Sequence, residues 1–166
     1  MAQTGSQVAV KLVELLRAQD GGVSAVLADL ADREDLGLGL TQMAWVKAEN
    51  VSPELAERST GAKYPAIHVY CERVSNTLRE KFRTFSGKAR MVLEARVSQD
   101  RLDLIEQHSQ LLVDAITTVL DSSRGDWGQG MLYSGAYEVV YGGVKSGGKN
   151  FLQITKVTFE VDVSTN

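Results

Sequence analysis

The sequence has little of what holds small secreted or membrane-bound proteins together. Cys71 is its single cysteine, so no disulfide can form within one chain, and we expect folding in a reducing compartment. No apolar run approaches the ~20 residues that a membrane-spanning helix needs. The first residues carry neither a basic segment nor a long apolar one, so we expect no secretory signal. These features predict a protein without membrane association.

The chain also lacks a large excess of charge of either sign. The net charge is −3, with 23% charged and 43% hydrophobic residues, which are ordinary values for a globular domain. Nothing in this balance attracts the whole molecule to nucleic acid. Two prolines occur against 15 glycines, a ratio that favours turns and hairpins over stiff linkers.

The first 64 residues are predicted to be mostly helical. Apolar residues recur at helical spacing over 7–19 and again over 24–31. A third, short helix is expected over 53–58, because serine followed by proline is a common helix start. Residues 36–60 otherwise fit no simple template, since they include a glycine-rich stretch and a segment compatible with a strand or a helix.

Beyond residue 64 the apolar residues alternate as they do in strands. Alternation is present over 65–72, and it is clearest over 88–98. Two further strands are predicted over 133–141 and 151–163, joined by a glycine-rich hairpin at 142–150. In the last strand the apolar residues switch from even to odd positions, which predicts a bulge near Thr155 and Lys156 or a strand that bends across a sheet corner.

A long amphipathic helix over 101–121 separates the second and third of these strands. Its apolar residues form a continuous stripe at steps of three and four, and a loop over 121–131 follows it. We therefore predict an α+β fold, with a mainly antiparallel sheet of about four to five strands packed against this helix and additional N-terminal helices. One domain over 1–166 is expected, with a mostly helical part at 1–64 and a sheet-plus-helix core at 65–166.

The clearest strand has one apolar side and one charged side. Its charged side consists of Lys88, Arg90, Glu94 and Arg96. Because successive side chains point to opposite faces, the pattern predicts that one face is buried and that the other is wet or contacts a partner.

The glycine-rich segment 143–150 nearly matches the phosphate-binding loop G-x-x-x-x-G-K-[ST]. Its last position is Asn150, which lacks the hydroxyl that binds the metal ion. A phosphate-binding loop must also open a helix, whose first amides hold the phosphates, whereas an alternating strand follows here. We therefore predict a hairpin loop and no nucleotide site.

Metal-binding and catalytic residue types are few and scattered. His68 lies on a strand and His108 on the apolar stripe of the long helix, while Cys71 has the opposite strand parity to His68. A nucleophilic cysteine needs a base beside it, and we predict instead that Cys71 is a small buried residue. No G-x-S-x-G, H-E-x-x-H or C-x-x-C pattern occurs. The sequence predicts no enzymatic activity, no metal and no cofactor.

A basic cluster with interleaved aromatic residues precedes the clearest strand. It consists of Arg79, Lys81, Arg83, Lys88 and Arg90, with Phe82 and Phe85 among them. Such a segment is typical of nucleic-acid contacts, of a hairpin arm that docks onto another subunit, or of a solvated loop anchored by its aromatic residues. The acidic net charge favours the arm over nucleic acid, and the solvated loop stays open.

The order of elements resembles that of bacteriophage tail-terminator (tail-completion) proteins, the class that includes the minor tail protein U of long-tailed phages. Three segments carry the resemblance: the Pro65-Ala66-Ile67-His68-Val69-Tyr70 strand after a helical N-terminus, the helix at 104–120 and the closing strand at 151–163. Together they span about residues 65–164. The N-terminal region departs from the pattern, because the stretch before the first secure strand is long.

The resemblance implies a structural virion protein. Members of that family form hexameric rings that cap the finished tail tube, stop its polymerisation and present a surface to the head-side connector. The implied partners are further copies of the chain, the tail-tube protein and the connector or neck protein, with DNA passing through the ring without specific binding. The implied location is the tail or neck of the virion, after assembly in the cytoplasm of the host bacterium.

Contacts in such a ring are expected on projecting loops and on the charged strand face. The candidate contact residues for neighbouring subunits or the tail are Arg79, Lys81, Arg83, Lys88, Arg90, Arg96, Lys145 and Lys149. A mild acidic excess would suit a channel through which DNA slides without sticking.

Three other functions stay open at this point. Another head–tail junction protein, such as a connector or stopper on the portal side, shares the small size, the ring symmetry and the lack of catalysis. A small-molecule-binding or enzymatic α+β domain requires a pocket with converging polar groups, and the strands offer few inward polar residues. A nucleic-acid-binding module requires salt-sensitive affinity for DNA.

Overall fold

A curled sheet with helices against one face dominates the fold. The computed structural model describes residues 4–34, 45–60, 63–147 and 149–166. The helices within these ranges are α1 (Thr4–Arg17), α2 (Val23–Glu34), α3 (Pro53–Thr60) and α4 (Leu102–Ser122). The strands are β1 (Trp45–Lys47), β2 (Ala66–Asn76), β3 (Phe85–Gln99), β4 (Gly125–Gly128), β5 (Met131–Tyr133), β6 (Tyr137–Tyr141), β7 (Lys145–Gly147) and β8 (Asn150–Thr165).

The two longest strands form the centre of the sheet. β3 and β8 pair antiparallel without a shift, from Phe85 opposite Thr165 to Gln99 opposite Phe151. β2 pairs antiparallel with the other side of β3, and β1 pairs parallel with β2. On the far side of β8, strands β5, β6 and β7 follow one another, each antiparallel to β8, and β4 pairs with β5.

The predicted fold class, an antiparallel sheet of four to five strands packed against one long helix, is wrong. The described residues form eight strands in a mixed sheet that curls into a half-barrel. In the described part of the chain no single long helix lies across the sheet: α1 contacts β2 and β3, α2 contacts α4, and α4 contacts β3 and β8. The strand number was too low because β1, β4, β5 and β7 have only three or four residues, too few to show an alternating pattern.

Individual elements follow the sequence pattern more closely. The predicted helices correspond to α1, α2, α3 and α4 with shifted ends. The strand predicted over 133–141 is interrupted between β5 and β6, where Gly135 has a φ of +99°. The loop predicted over 121–131 contains β4. Of the region that fitted no template, residues 36–44 lie outside the described residues, and the remainder contains β1 and α3.

The core lies between the helices and the sheet face formed by the odd-numbered side chains at the centres of β3 and β8. Apolar residues on that face and on one side of α4 are almost completely buried, among them Met91, Leu93, Val157, Phe159 and Ile116. Burying one such side chain contributes about 1.5–3 kcal/mol. Because this face is covered, the even-numbered side chains of β3 and β8 point the other way, and we call that side, with the adjoining residues of β2, the polar face.

The bulge predicted near Thr155 and Lys156 is also wrong. β8 pairs with β3 through that position without a shift, and the irregularity lies in β2, between Cys71 and Arg73. The change of apolar parity in β8 has a different cause. Leu152 is buried and Ile154 is half-buried, although both belong to the polar face, so that end of the polar face is itself covered.

Candidate functional site

The polar face has two ends with opposite surroundings. The closed end carries His68, Glu94 and Arg96 and lies against residues 49–53. The open end is partly exposed, and it continues into the arm, which we define as residues 77–84 between β2 and β3. The residues of the open end are Glu72, Lys88, Arg90, Glu160 and Asp162.

At the closed end a buried arginine ties the sheet to the segment 49–53. Arg96 is 2% exposed, and its guanidinium donates to the carbonyl oxygen of Val51 and to Glu94 Oε1, the latter at 3.3 Å. Glu94 is itself only 8% exposed. Two charges this deeply buried are costly to desolvate, and each needs the other to compensate its charge. The closed end is therefore a structural site that depends on both partners.

Tyr70 and His68 lie beside this pair on β2. Burial, together with a hydrogen bond to Glu94, raises the pKa of Tyr70. Burial, together with the positive charge of Arg96, lowers the pKa of His68. His68 Nδ1 lies 3.3 Å from Glu49 Oε1, but the two atoms do not have hydrogen-bond geometry. Both rings are therefore neutral at pH 7, and Arg96 and Glu94 are the charges at this end of the sheet.

A groove of about 650 Å³ opens over the closed end, between residues 50–53 and the start of the β6–β7 connection. Arg96 and Glu94 line it together with Tyr70. A binding pocket needs converging polar groups that are free to contact a ligand. Here the guanidinium of Arg96 donates to the carboxylate of Glu94 and to the carbonyl oxygen of Val51. The geometry of the groove therefore gives little support to a small-molecule site.

Ion pairs between neighbouring strands occupy the open end. Their contact distances are 2.8 Å for Lys88–Glu160, 2.8 Å for Arg90–Glu72 and 3.2 Å for Arg79–Asp162. The hydrogen bond from Lys88 lowers the pKa of Glu160. Partly exposed pairs of this kind add little stability. Lys88, Arg90 and Arg79 are thereby compensated locally, which weakens the attraction to nucleic acid that unpaired basic side chains would produce.

Hydrogen bonds at its base organise the arm. Asn76 Oδ1 accepts from the backbone N–H of Leu78 at 3.2 Å and of Ser86 at 3.1 Å. Ser86 Oγ accepts from the backbone N–H of Glu80 at 3.1 Å. The carboxylate of Glu80 in turn accepts from Ser164 Oγ at 3.0 Å. These bonds connect the two ends of the arm to each other and to the end of β8, so the arm has a defined shape.

The tip of the arm presents apolar side chains to water. Phe82 is 99% exposed and Leu78 is 62% exposed. Their φ angles are +65° and +48°, in the left-handed region that costs a residue other than glycine about 1–3 kcal/mol. Strained backbone of this kind persists where the surrounding structure determines it, and it is concentrated at functional sites. The arm therefore has the properties of a contact element for another protein.

The structure brings five of the eight predicted contact residues to the open end. Arg79, Lys81 and Arg83 lie in the arm, and Lys88 and Arg90 lie on β3 beside it. The other three are at the opposite end of the β3–β8 ladder: Arg96 is buried, and Lys145 and Lys149 belong to the β7–β8 hairpin. The expectation of one continuous wet strand face is wrong for Glu94 and Arg96, because residues 49–53 cover them.

The other residues singled out in the sequence belong to strands, to hydrogen bonds within the fold or to the edge of the core. β6 and β8 pair antiparallel, as the predicted hairpin requires, but its connection contains β7, whose Lys145 pairs with Leu152 on β8. Gln99 Nε2 donates to His108 Nδ1 at 2.7 Å, and burial lowers the pKa of that histidine. Cys71 is half-buried against the core, and burial raises the pKa of its thiol.

The described residues form neither a metal-ligand cluster nor a membrane-spanning helix. Within the described ranges, no three His, Cys, Asp or Glu side chains lie together as a metal site would require. None of the helices in this part of the chain is long and apolar enough to cross a membrane.

Sequence patterns identify the charges of the arm but not the residues that shape it. Asn76, Glu80 and Ser86 belong to no motif, although asparagine and serine favour turns through side-chain bonds to the backbone. The same residue types occur in ordinary turns, so the signal is weak. Exposure of Phe82 and burial of Phe85 likewise depend on the tertiary structure, since both are aromatic residues in one short segment.

Comparisons with known proteins do not assign the chain to a family. A scan against protein-family models finds no match, and a search of curated proteins finds no significant match.

Proposed function

We propose that this chain is a structural protein of a bacteriophage virion that assembles into a six-membered ring at the head-proximal end of the tail tube. The ring stops further polymerisation of the tube and presents a surface to the head-side connector. It has no catalytic role, and DNA passes through it without specific binding. Assembly takes place in the cytoplasm of the host bacterium.

The arm is the observation that carries this proposal. A hydrogen-bonded loop that holds Phe82 99% exposed is unfavourable for an isolated molecule, because the aromatic side chain of Phe82 gains no free energy from burial. Aromatic side chains of this kind dominate the binding energy of protein interfaces once a partner covers them. A chain that presents such a contact element is suited to assembly, and the order of its elements resembles that of ring-forming tail terminators.

The charges of the open end are consistent with this role. A ring through which DNA moves must avoid strong phosphate binding, which an uncompensated row of lysine and arginine would produce. At the open end the strand lysine and arginine are paired with carboxylates. These charges can orient a neighbouring protein while adding little general affinity for nucleic acid.

The proposal is tested by tail assembly in vitro. Tail tubes from the tube protein of the same phage genome are polymerised in the presence and absence of the chain, and their ends are examined by electron microscopy. We expect the chain to form a six-fold ring at one end of each tube and to stop growth at that end. Phe82→Asn serves as the matched variant that keeps the fold and removes the apolar tip.

Unlimited growth of tubes with bare ends would count against a terminator. Binding of the chain to portal or connector complexes instead of to tubes would identify it as a different head–tail junction protein.

A further inference from the structure

Strand β6 forms an open edge of the sheet. Among the described strands, only β8 pairs with it. The N–H of Gly142 donates to the carbonyl oxygen of Ile154 at 3.0 Å, and residues that face each other in this way alternate along an antiparallel pair. In the observed register, Glu138 and Val140 therefore bond to β8. The N–H and C=O groups of Tyr137, Val139 and Tyr141 point away from the sheet.

The composition of this edge does not protect it. Edge strands in monomeric proteins are commonly blunted by lysine, proline or a bulge. β6 reads Tyr-Glu-Val-Val-Tyr, with one charge and no proline. Its side chains Tyr137, Val140 and Tyr141 are exposed. An exposed strand of tyrosine and valine with outward backbone groups is a template for pairing with another chain.

The β6 edge carries charges of both signs: Lys156 lies opposite Val140, and Glu160 on the neighbouring strand is paired with Lys88. Glu138 is exposed on β6 itself, on the same face as Glu160 of the neighbouring strand. On the other face, burial and the nearby carboxylate of Asp114 raise the pKa of Tyr141.

In the arm, Arg79 is paired with Asp162 and Arg83 with Glu80, which leaves Lys81 beside the exposed side chains of Leu78 and Phe82. Lys81 of the arm and Glu138 of the edge are therefore the opposite charges that a contact can pair, and both surfaces present apolar side chains.

The apolar side chain of the arm is clear of its own β6 edge, because Phe82 is 99% exposed. Through Arg79 the arm reaches back along β8 to Asp162, whereas β6 begins opposite Phe159. The three steps from Phe159 to Asp162 span about 10 Å along the strand, and β5 pairs with β8 at Asp162 and Val163. A contact between arm and edge is thus a contact between two molecules.

We infer that the β6 edge of one copy of this chain is the docking site for the arm of a second copy. The Phe82 ring packs on the exposed rings of Tyr137 and Tyr141, Lys81 faces Glu138, and arm backbone bonds to the outward groups of β6. The contact joins two different surfaces, so repeating it produces a closed ring when the rotation per subunit permits closure. This inference rests on the proposed ring assembly and assigns its subunit interface.

Intermolecular crosslinking tests the contact. In a Cys71→Ala background, which removes the single cysteine, one preparation carries Lys81→Cys and another carries Glu138→Cys. We expect a short bismaleimide to give a covalent dimer when the two preparations are mixed and to give much less with either alone. A chain that carries both substitutions should give a ladder of oligomers. The matched control replaces Glu138→Cys by Asp32→Cys, at an exposed position on α2.

A second measurement uses the protection that natural edge strands have. Val140→Lys places a charge on β6, and we expect it to raise the concentration needed for half-maximal assembly at least tenfold. Val144→Lys, at an exposed position beyond β6, should leave that concentration within about twofold.

The inference would be overturned if the wild type forms rings, the crosslinking is not selective and the two lysine substitutions have equal effects. The proposed function would still stand in that case. A wild-type chain that stays monomeric with and without tail tubes would overturn both.

Discussion

The closed end and the open end of the polar face contain the same kinds of ion pair in opposite environments. Arg96 and Glu94 are buried against residues 49–53, whereas Lys88, eight residues from Arg96 on the same strand, and its partner Glu160 have side chains that are 36% and 39% exposed. A buried pair is strongly destabilised when one partner is lost, and an exposed pair is not. The comparison indicates that the closed end serves folding and that the open end, with the arm, is available for a partner.

The largest effect on folding is expected from Arg96→Met. This substitution leaves the carboxylate of Glu94 buried without its partner and removes the bond to Val51. We expect the free energy of unfolding, measured by urea denaturation, to fall by about 3–5 kcal/mol. Adding Glu94→Gln removes the uncompensated charge and should recover part of that loss.

Arg90→Met is the matched control, because Arg90 pairs with Glu72 at the partly exposed open end of the same strand. Its cost should be below about 1 kcal/mol. Equal losses from the two arginine substitutions would remove the distinction between the ends.

A smaller effect is expected from acidification, through His68. Its pKa is lowered in the folded protein from an ordinary value of 6.5, mainly by burial. The unfolded chain therefore binds more protons, and stability rises with pH. The contribution is fully present above about pH 6.5 and is lost as the pH falls from there towards the lowered pKa. Urea denaturation of the wild type should show this loss between about pH 7.5 and 5.5.

His68→Gln should have a flatter pH profile than the wild type. His108, whose pKa burial also lowers, is present in both proteins, so the difference between the two profiles isolates His68. Superimposable profiles would show that the closed end does not exclude the charged imidazole.

At the open end, Lys88→Met should change the free energy of unfolding by less than about 1 kcal/mol, because the pair with Glu160 is exposed. The pKa of Glu160, which the hydrogen bond from Lys88 lowers, should rise towards its ordinary value. NMR titration of the Glu160 side chain measures this shift. A loss of several kcal/mol would mean that the open end also serves folding.

Phe82→Asn should have the smallest effect on folding and a large effect on assembly. The ring is almost completely exposed, and asparagine tolerates a positive φ better than phenylalanine, so unfolding should change by less than about 0.5 kcal/mol. Loss of an aromatic interface anchor worth about 2 kcal/mol raises a dissociation constant about 30-fold. Sedimentation velocity measures the assembly, with Val144→Asn as the exposed control.

Much of the element content could be predicted from the sequence, because α4 and the central strands show long periodic patterns. The fold class could not, because short strands such as β1, β4 and β7 leave no periodic signal and add the parallel pair and the curl of the sheet. Burial of the closed end could not be predicted from the sequence for a related reason. The sequence pattern places Arg96 beside Lys88 on one face, and only residues 49–53, distant in sequence, decide that Arg96 is buried.

The candidate site was predicted in part. The cluster of basic residues marks the arm, since five of the eight named residues lie at or beside it. The exposure of Phe82 and the open edge of β6 depend on strand pairing. Tyrosine and valine in alternation indicate a strand, but they do not indicate whether both of its sides are paired.

The native mass of the purified chain, measured over a range of concentrations and again with tail tubes added, tests the central claim most directly. We expect a discrete species of six copies, formed by the chain alone as its concentration rises or at the ends of tubes. Phe82→Asn should weaken its assembly. A wild-type chain that stays monomeric at every concentration and ignores tail tubes would contradict it.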